Sequence, residues 1–265
     1  FQEKLPLKLN ALIEELQSNA FIMSGKGRIR RNHVHLMEAL IKSPIYGEVE
    51  IVDFQHEMSE SINKQFAAVT YRINNNQIFI AFRGTDSTMV GWREDLNLSY
   101  AQNIPSQISA TRYLEKVMSS YPNEITIGGH SKGGNIAVYS ATMCEERFFN
   151  RIKKVYNFDG PGFHIDFIND KRYNNTLNIT EKYIPQFSFF GTLMHSSEPL
   201  LIIKSVSNSL YQHDTYTWLV NNDDLMFADR TTTLSRHLSN SIDIWLKTIS
   251  EEERKVVIDE VFKGF

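Results

Sequence analysis

The sequence predicts an α/β protein with a largely parallel sheet, and two observations favour this fold class. Short apolar runs alternate with helical stripes after residue 77, as they do where helices connect parallel strands. The apolar run ITIGG at 125–129 is followed closely by the helix-forming segment NIAVYSATMCEE, so a strand-to-helix turn is expected between them. Because parallel sheets are usually covered on both sides, we expect helices on both faces.

The N-terminal third predicts a helix and then a β-hairpin. Residues 66–73, FAAVTYRI, and 77–83, QIFIAFR, are rich in β-forming side chains and are separated by three asparagines. Asparagine tolerates left-handed turns, so these runs predict an antiparallel hairpin ahead of the parallel strands. An amphipathic helix before the hairpin is indicated by apolar residues at helical spacing, namely Leu9, Leu12, Ile13, Leu16 and Ala20.

The middle of the chain supplies the alternating elements. An apolar helical stripe from Ile108 to Tyr121 stops before Pro122. The run KKVYNF then predicts a strand that ends at the breaker sequence Asp-Gly-Pro-Gly, residues 159–162. Two more strand candidates follow, TLNI at 176–179 and LLIIKSV at 200–206.

Two helices close the sequence. Apolar residues from Leu234 to Ile249 keep to one face of the first. Ser250 and Glu253 have the spacing of a capping box for the second helix, which Gly264 would terminate.

Composition describes a globular protein of one domain, residues 1–265. Of the 265 residues, 42% are hydrophobic and 22% are charged, and there is no repeat, low-complexity tract or linker. The net charge of −3 and the lack of a basic run argue against a nucleic-acid partner. No apolar run approaches the length of a membrane span.

The sequence also predicts a cytoplasmic protein without a cofactor. A single cysteine, Cys144, suits a reducing compartment, and the first residues lack the layout of a secretory signal. We interpret Cys144 as a small buried hydrophobe. No HExxH, CxxC or glycine-rich nucleotide loop is present, so neither a metal nor an organic cofactor is expected.

Ser131 is the candidate nucleophile. It lies in the sequence GHSKGG, between Gly129 and Gly133. At a sharp strand-to-helix turn a serine projects its hydroxyl above the sheet, and side chains two positions away would collide with the neighbouring strand and helix. The motif also arises by chance or in ordinary turns, but the predicted strand before it and helix after it favour a nucleophile.

A serine hydroxyl needs a base, and in this kind of site the acid and then the histidine follow the serine in the chain. His213, in SNSLYQHDTYTW, follows the last strand candidate by a short loop and is the preferred base. A buried histidine packed against Trp218 is the alternative interpretation of His213. Three other histidines follow Ser131 and are not preferred as the base. His164 is interpreted as too close to the sheet to reach the serine, His195 as a lid residue and His237 as a helical residue.

Two carboxylates compete for the role of the acid that holds the imidazole. Asp159 ends the strand candidate KKVYNF at the same sheet edge as Ser131 and is preferred, although an aspartate before Gly160 also fits a turn. Glu181 follows TLNI, at the strand position that commonly supplies the acid, and is the alternative.

Two backbone N–H groups are expected to form the oxyanion hole. Lys132 follows the serine at the start of a helix, where N–H groups are unpaired and the helix dipole is positive. Gly84 or Thr85, in the loop after the second hairpin strand, can present the other. Further along, Trp92, Glu94 and Asp95 are interpreted as structural, with an ion pair expected between Arg83 and Asp95.

Four separated motifs resemble one known family. They are AFRGT at 81–85, GHSKGG at 129–134, NFDGPGF at 157–163 and QHDTYTW at 212–218. In this order they resemble the bacterial Mbeg1-like proteins, which are relatives of the class 3 lipases within the α/β-hydrolase fold. The resemblance covers most of the chain and implies that fold.

The resemblance also implies roles for individual residues. It implies Ser131 as the nucleophile, His213 as the histidine of the triad and Thr85 as an oxyanion-hole residue. The resemblance does not assign the acid of the triad to a residue of this chain. Class 3 lipases usually have an aspartate just before Val-Pro or Ile-Pro, whereas this chain reads ITEKYIPQ at 179–186.

The predicted function is therefore a serine hydrolase that cleaves carboxylic esters, including acyl esters of lipid type, through an acyl-enzyme on Ser131. A small-molecule ester is the expected partner. Two alternatives stay open, a thioesterase or peptidase with the same triad and a binding module that has lost the chemistry. Residues 186–203, QFSFFGTLMHSSEPLLII, predict either an apolar lid or core packing.

Overall fold

The computed structural model of the chain describes residues 2–17, 28–86 and 88–263. Within these residues, eight strands form one sheet in which each strand pairs with the next along the chain. The strands are β1 (Leu7–Lys8), β2 (Glu50–Ser59), β3 (Lys64–Arg72), β4 (Gln77–Phe82), β5 (Glu124–His130), β6 (Ile152–Phe158), β7 (Thr180–Pro185) and β8 (Leu200–Ile203). A separate pair consists of β9 (Val220–Asn221) and β10 (Asp224–Leu225).

The sheet changes from antiparallel to parallel at β4. Strands β1 to β4 pair in antiparallel register, and β3 and β4 form the predicted hairpin around the asparagines. From β4 to β8, each strand is parallel to the one that follows it. The predicted α/β class, with a mostly parallel sheet and an antiparallel N-terminal part, is confirmed. The carboxyl ends of β4 to β8 consequently meet at one edge, where sites form in such sheets.

The helices connect the strands or extend from the ends of the sheet. They are α1 (Leu9–Gln17), α2 (Arg28–Lys42), α3 (Met89–Asn97), α4 (Pro105–Ser120), α5 (Lys132–Met143), α6 (Glu146–Phe149), α7 (Ile165–Ile168), α8 (Lys171–Leu177), α9 (Thr233–Thr248) and α10 (Glu251–Lys263). The predicted N-terminal helix is confirmed as α1, whereas Ala20 lies outside the described residues.

The core lies where α4, α5 and α8 pack against the sheet. Helix α5 contacts β5 and β6, and it also packs against α4 and α8. Strand residues that point into this layer are almost fully buried, and each large apolar side chain among them stabilises the fold by about 1.5–3 kcal/mol. The strand residues of this cluster are Phe66, Ala68, Ile78, Ile80, Phe82, Ile125, Ile127, Ile152 and Val155. Cys144, at the end of α5, is buried in the same cluster, as predicted.

Two strand expectations need correction. TLNI at 176–179 is not a strand, because α8 continues to Leu177 and the next two amides bond to Asn175 and Thr176 carbonyls in a helical turn. The strand starts only at Thr180. Strand β2, with its mixed sequence EIVDFQHEMS, is an addition to the predicted elements. Its polar residues lie along a half-exposed strand, and the apolar runs typical of buried strands are missing.

The C-terminal helices agree with the sequence. Ser250 accepts a hydrogen bond from Glu253 N through its hydroxyl, and Glu253 accepts one from Ser250 N, which confirms the capping box of α10. Gly264 lies outside the described residues. None of the helices described is long and apolar enough to span a bilayer.

Candidate active site

Ser131 lies at the turn between β5 and α5, at the carboxyl edge of the sheet. Its backbone has φ 56° and ψ −130°, a conformation that costs a non-glycine residue about 1–3 kcal/mol. The turn is held because Ser131 N donates to Phe158 O at 2.9 Å, and Gly134 N donates to Ser131 O at 2.9 Å. The strain therefore lies in the residue predicted as the nucleophile.

The flanking glycines are required by close backbone approach. A Cβ at Gly129 would lie 2.5 Å from the carbonyl carbon of Gly133, and one at Gly133 would lie 2.2 Å from Phe82 O. Carbon atoms do not approach so closely, so any larger residue would push α5 away from β4 and β5. The prediction that side chains two positions from Ser131 would collide with the neighbouring strand and helix is therefore confirmed.

His213 and Asp159 form a hydrogen-bonded pair at the same edge. The distance from His213 Nδ1 to Asp159 Oδ2 is 2.6 Å. Because a carboxylate can only accept, Nδ1 carries the proton and Nε2 of a neutral ring is left as an acceptor. Asp159 is fully buried, whereas the His213 side chain is 22% exposed. The pair thus reaches from the interior to the surface.

Asp159 is placed by the end of β6. Its φ is 52°, and its backbone N–H donates to Tyr183 O on β7 at 2.7 Å. The turn-forming role that the sequence allowed for this aspartate belongs instead to Asn157, whose Oδ1 accepts from Gly160 N at 2.9 Å, while the Asp159 carboxylate faces His213.

His213 lies at the end of a short 3-10 helix, Ser209–His213, and its ring is enclosed by two aromatic neighbours. Phe190 and His130 have ring centroids 4.3 Å and 4.4 Å from that of His213. Trp218 does not stack on it, and its Nε1–H donates instead to Gln212 O at 2.8 Å. The His213 backbone is held at the other side by His130, whose Nε2–H donates to His213 O at 2.8 Å.

His130 remains neutral around physiological pH. Burial, together with the neighbouring His213, lowers the pKa of the His130 imidazole to about 4. The neutral tautomer with its proton on Nε2 is the one that the carbonyl of His213 requires.

Glu181 is not brought to this pair. It is the second residue of β7, near the amino end of that strand, whereas the carboxyl end lies at the site. Its carboxylate accepts from Lys154 Nζ at 2.5 Å and from Tyr183 OH at 2.5 Å. The Lys154 ammonium lowers the pKa of the Glu181 carboxyl.

The other three histidines that follow Ser131 in the chain lie in different surroundings. His164 Nε2 is 2.8 Å from Glu251 at the start of α10. The backbone of His195 forms a bridge with that of Phe163, and His237 is exposed on α9. The interpretation of all three as residues outside the triad agrees with these positions.

Thr85 lies in the loop after β4, which passes directly beside Ser131. A Cβ at Gly84 would lie 3.5 Å from the Ser131 Cβ. The Thr85 hydroxyl donates to Asp95 Oδ2 at 2.5 Å. Burial raises the pKa of the Asp95 carboxyl to about 6, although the Lys132 ammonium and the Thr85 hydroxyl both oppose this shift.

The predicted ion pair between Arg83 and Asp95 is wrong. Arg83 instead pairs with Asp86 at 2.8 Å, because both side chains lie on the solvent side of the loop. Asp95 faces inward to Thr85, with its second oxygen 3.9 Å from Lys132 Nζ.

Lys132 combines a backbone group at the site with a buried side chain. As the first residue of α5, its N–H has no acceptor within the helix. Its side chain is 1% exposed, and Nζ donates to Gln65 O, Gln65 Oε1 and Glu94 Oε2 at 2.8–2.9 Å. Glu94, also fully buried, accepts further bonds from Gln65 N and from the backbone and hydroxyl of Ser106. The structural interpretation of Glu94 agrees with these contacts.

The candidate lid segment, residues 186–203, borders the site in part. Phe187 and Ser188 are buried, Phe190 contacts the His213 ring, and residues 200–203 form β8. The lid role itself stays a prediction.

The sequence did not point to three residues that contact the His213–Asp159 pair directly or through one another: His130, which bonds His213 O, Ser188, whose hydroxyl donates to Asp159 Oδ1, and Ser235, whose hydroxyl donates to Ser188 O. His130 is adjacent to Ser131, and this proximity was the available signal. The two serines carry no signal in the sequence, because their role depends on contacts between distant segments.

Comparisons with known proteins give a family and several similar structures. A model of the Mbeg1-like family matches residues 40–263. No curated protein matches the chain. A fungal lipase solved with an inhibitor is 16% identical with a TM-score of 0.45, over 71% of this chain and 79% of that one. Lipase II from Rhizopus niveus is 14% identical with a TM-score of 0.44, over 69% and 74%. A single-substitution mutant of MDLA from Penicillium cyclopium is 14% identical with a TM-score of 0.45, over 84% and 86%.

Proposed function

The chain belongs to the Mbeg1-like family, and we propose that it is a serine hydrolase that cleaves carboxylic esters through an acyl-enzyme on Ser131. One observation carries the proposal: a buried carboxylate holds a partly exposed imidazole at the sheet edge where a serine has a strained, positive-φ backbone. A serine kept in such a backbone at the start of a helix is the arrangement of a nucleophile elbow.

The first half of the reaction would form the acyl-enzyme. Nε2 of His213 accepts the proton of Ser131 Oγ as that oxygen attacks the ester carbonyl. Asp159 stabilises the imidazolium that forms and keeps the ring in the reactive tautomer. The imidazolium then gives the proton to the leaving alkoxide, and the C–O bond of the ester breaks.

The second half would release the acid. Water loses a proton to the neutral His213 and attacks the acyl carbon, and the proton returns to Ser131 Oγ as the acyl-enzyme bond breaks. In both halves the charge on the carbonyl oxygen would be held by the backbone N–H groups of Lys132 and Thr85. The Thr85 hydroxyl donates to Asp95, which orients this residue beside the serine.

The test is hydrolysis of a series of p-nitrophenyl esters of increasing acyl length, with a thioester and an anilide in parallel. We expect ester hydrolysis by the wild type and a fall of about 10⁶-fold in kcat for Ser131→Ala. Ser140→Ala is the matched control, since Ser140 is a fully buried serine nine residues further along α5 and its hydroxyl donates to Ala137 O within that helix.

Preference for the thioester or the anilide would replace the ester assignment with the thioesterase or peptidase alternative. No turnover of any member by a folded wild type would contradict the proposal and favour a binding module.

A further inference from the structure

The Asp159 carboxylate has two oxygens, and only Oδ2 faces His213. The other oxygen, Oδ1, accepts a hydrogen bond of 2.5 Å from the hydroxyl of Ser188, which follows β7. Both residues are buried, with Asp159 at 0% and Ser188 at 1% exposure. An acceptor-only carboxylate fixes the direction of this bond, so the serine proton is committed to Asp159.

Ser188 is itself held by α9. Its backbone N–H donates to the Ser235 hydroxyl at 3.2 Å, and that hydroxyl donates to Ser188 O at 2.7 Å. Ser235 is 1% exposed and lies in the first turn of α9, which Thr232 caps by accepting from Ser235 N. Helix α9 in the C-terminal part of the chain is therefore linked to Asp159 through two buried serines, Ser235 and Ser188.

We propose that Ser188 and Ser235 are positioning residues of the active site. With Asp159 and His213 they form a hydrogen-bond relay, in which the Ser235 hydroxyl holds the Ser188 backbone and the Ser188 hydroxyl keeps the acid ionised and aimed at the imidazole. The proposal rests on the proposed function, since it assigns these serines to the same triad. It also gives α9 a role in catalysis that acts through Ser188 and Asp159 rather than through a contact with the nucleophile.

The relay has a measurable consequence for proton binding. A hydroxyl that donates to the charged carboxylate stabilises the ionised form and lowers the affinity of the Asp159–His213 pair for a proton. Without this donor the pair binds its proton at higher pH, either on the imidazole or on the carboxylate. Loss of one bond to a charged group moves such a titration by about one pH unit.

Other titratable or charged groups surround the pair and are common to the wild type and the variants. They are His130 from β5, Lys182 from β7, Asp95 from α3 and Asp214 next to His213. Because they are unchanged, a difference in titration between wild type and a Ser188 variant reports the hydroxyl.

The experiment is a pH titration of the far-downfield proton signal of His213 Nδ1–H by NMR, assigned by its loss in His213→Ala. We expect the midpoint for Ser188→Ala to lie about one unit above that of the wild type. The acid limb of kcat/KM should move by the same amount, so that activity below the midpoint falls roughly tenfold. Ser235→Ala should shift both in the same direction by less, because Ser188 keeps its hydroxyl but loses its anchor.

Ser140→Ala is again the control and should titrate as the wild type does. An unchanged midpoint in folded Ser188→Ala would overturn the proposal, and an unchanged one in Ser235→Ala would remove Ser235 from the relay. If Ser188→Ala does not fold, Ser188→Cys fills the same space with a weak donor and is judged by the same two outcomes. A wild type that shows the titrating signal but hydrolyses no ester would contradict the proposed function alone.

Discussion

Two buried polar clusters flank Ser131, and they differ in where they end. On one side, Ser235, Ser188 and Asp159 lead to His213, whose side chain is 22% exposed. On the other side, the Lys132 ammonium donates to two fully buried residues, Gln65 and Glu94, and the buried Ser106 hydroxyl donates to both of these. The first cluster ends at a partly exposed imidazole, whereas the three hydrogen bonds of the Lys132 ammonium all go to buried residues.

This difference indicates which buried polar side chains serve the reaction and which serve the stability of the fold. A buried charge that meets buried partners holds elements together, here α3 to α5 and β3. A buried charge that continues to a partly exposed ring can exchange a proton with a substrate. Four predictions test this distinction, starting with the largest effect.

The first compares the two carboxylates that the sequence left open. Asp159→Asn should lower kcat about 10⁴-fold, because an amide favours the wrong tautomer of His213. Glu181→Gln should leave kcat unchanged, since Glu181 binds Lys154 and Tyr183 away from the site. Steady-state hydrolysis of the preferred ester measures both. Equal losses in the two variants would contradict the assignment of the acid.

The second prediction concerns the closed cluster. Lys132→Met should lower the free energy of unfolding by about 3–5 kcal/mol, because it leaves the buried Glu94 carboxylate without a cationic partner. The kcat of the folded fraction should change little, since the backbone N–H of Lys132 remains. Urea unfolding measures this loss, with Lys154→Met as the control. The ion pair of Lys154 with Glu181 is one-third exposed, so the control should lose less than about 1 kcal/mol of unfolding free energy.

A large fall in kcat for stable Lys132→Met would mean that the two clusters are not separate in function. A loss no larger than that of Lys154→Met would show that the buried pair does not hold α3.

The third prediction tests the contact that spans from β5 to the histidine loop. His130→Phe keeps a ring against His213 but removes the donor to His213 O, so kcat/KM should fall roughly tenfold. His237→Phe, on the exposed face of α9, should have no effect. Both are read from the ester assay above pH 5, where His130 is neutral because its pKa is about 4. Wild-type kinetics in His130→Phe would show that the loop holds His213 without this bond.

The fourth prediction is a small dependence of stability on pH. The pKa of Asp95 is raised from 3.8 to about 6 by burial, so the folded state keeps a proton that the unfolded state has released. Stability from this group is lost as pH rises from about 4 to 6. Asp95→Asn should therefore gain more stability over the wild type at about pH 7.5 than at about pH 5.

Urea unfolding at the two pH values measures this difference. Asp86→Asn is the control, because the pKa of Asp86 is lowered and both its states are ionised in that range. A gain for Asp95→Asn that is larger at the lower pH would reverse the sign assigned to Asp95.

Sequence patterns were most informative where the physical cause is local. The glycines around Ser131 predict the turn because the crowding comes from adjacent residues, and the asparagines at 74–76 predict the hairpin for the same reason. Glu181 stayed open as an acid because α8 extends to Leu177 and moves the strand onward, which places Glu181 at its start.

Long-range contacts were beyond the sequence. The side chain of Lys132 meets Gln65 across 67 positions of the chain, and Ser188 meets Ser235 across 47. The position of Lys132 beside a serine gives no sign in the sequence that its side chain is buried; the burial depends on contacts with Gln65 on β3 and Glu94 on α3. The relay and the closed cluster both depend on such pairs.

The most direct test of the central claim is the intact mass of the protein after exposure to a serine-reactive fluorophosphonate. Wild type, Ser131→Ala and His213→Ala would be treated in parallel, with folding of each checked by circular dichroism. The account predicts one adduct on the wild type and none on the two variants, because the reagent requires a serine that His213 activates. No adduct on folded wild type, or an adduct that persists in Ser131→Ala, would contradict it.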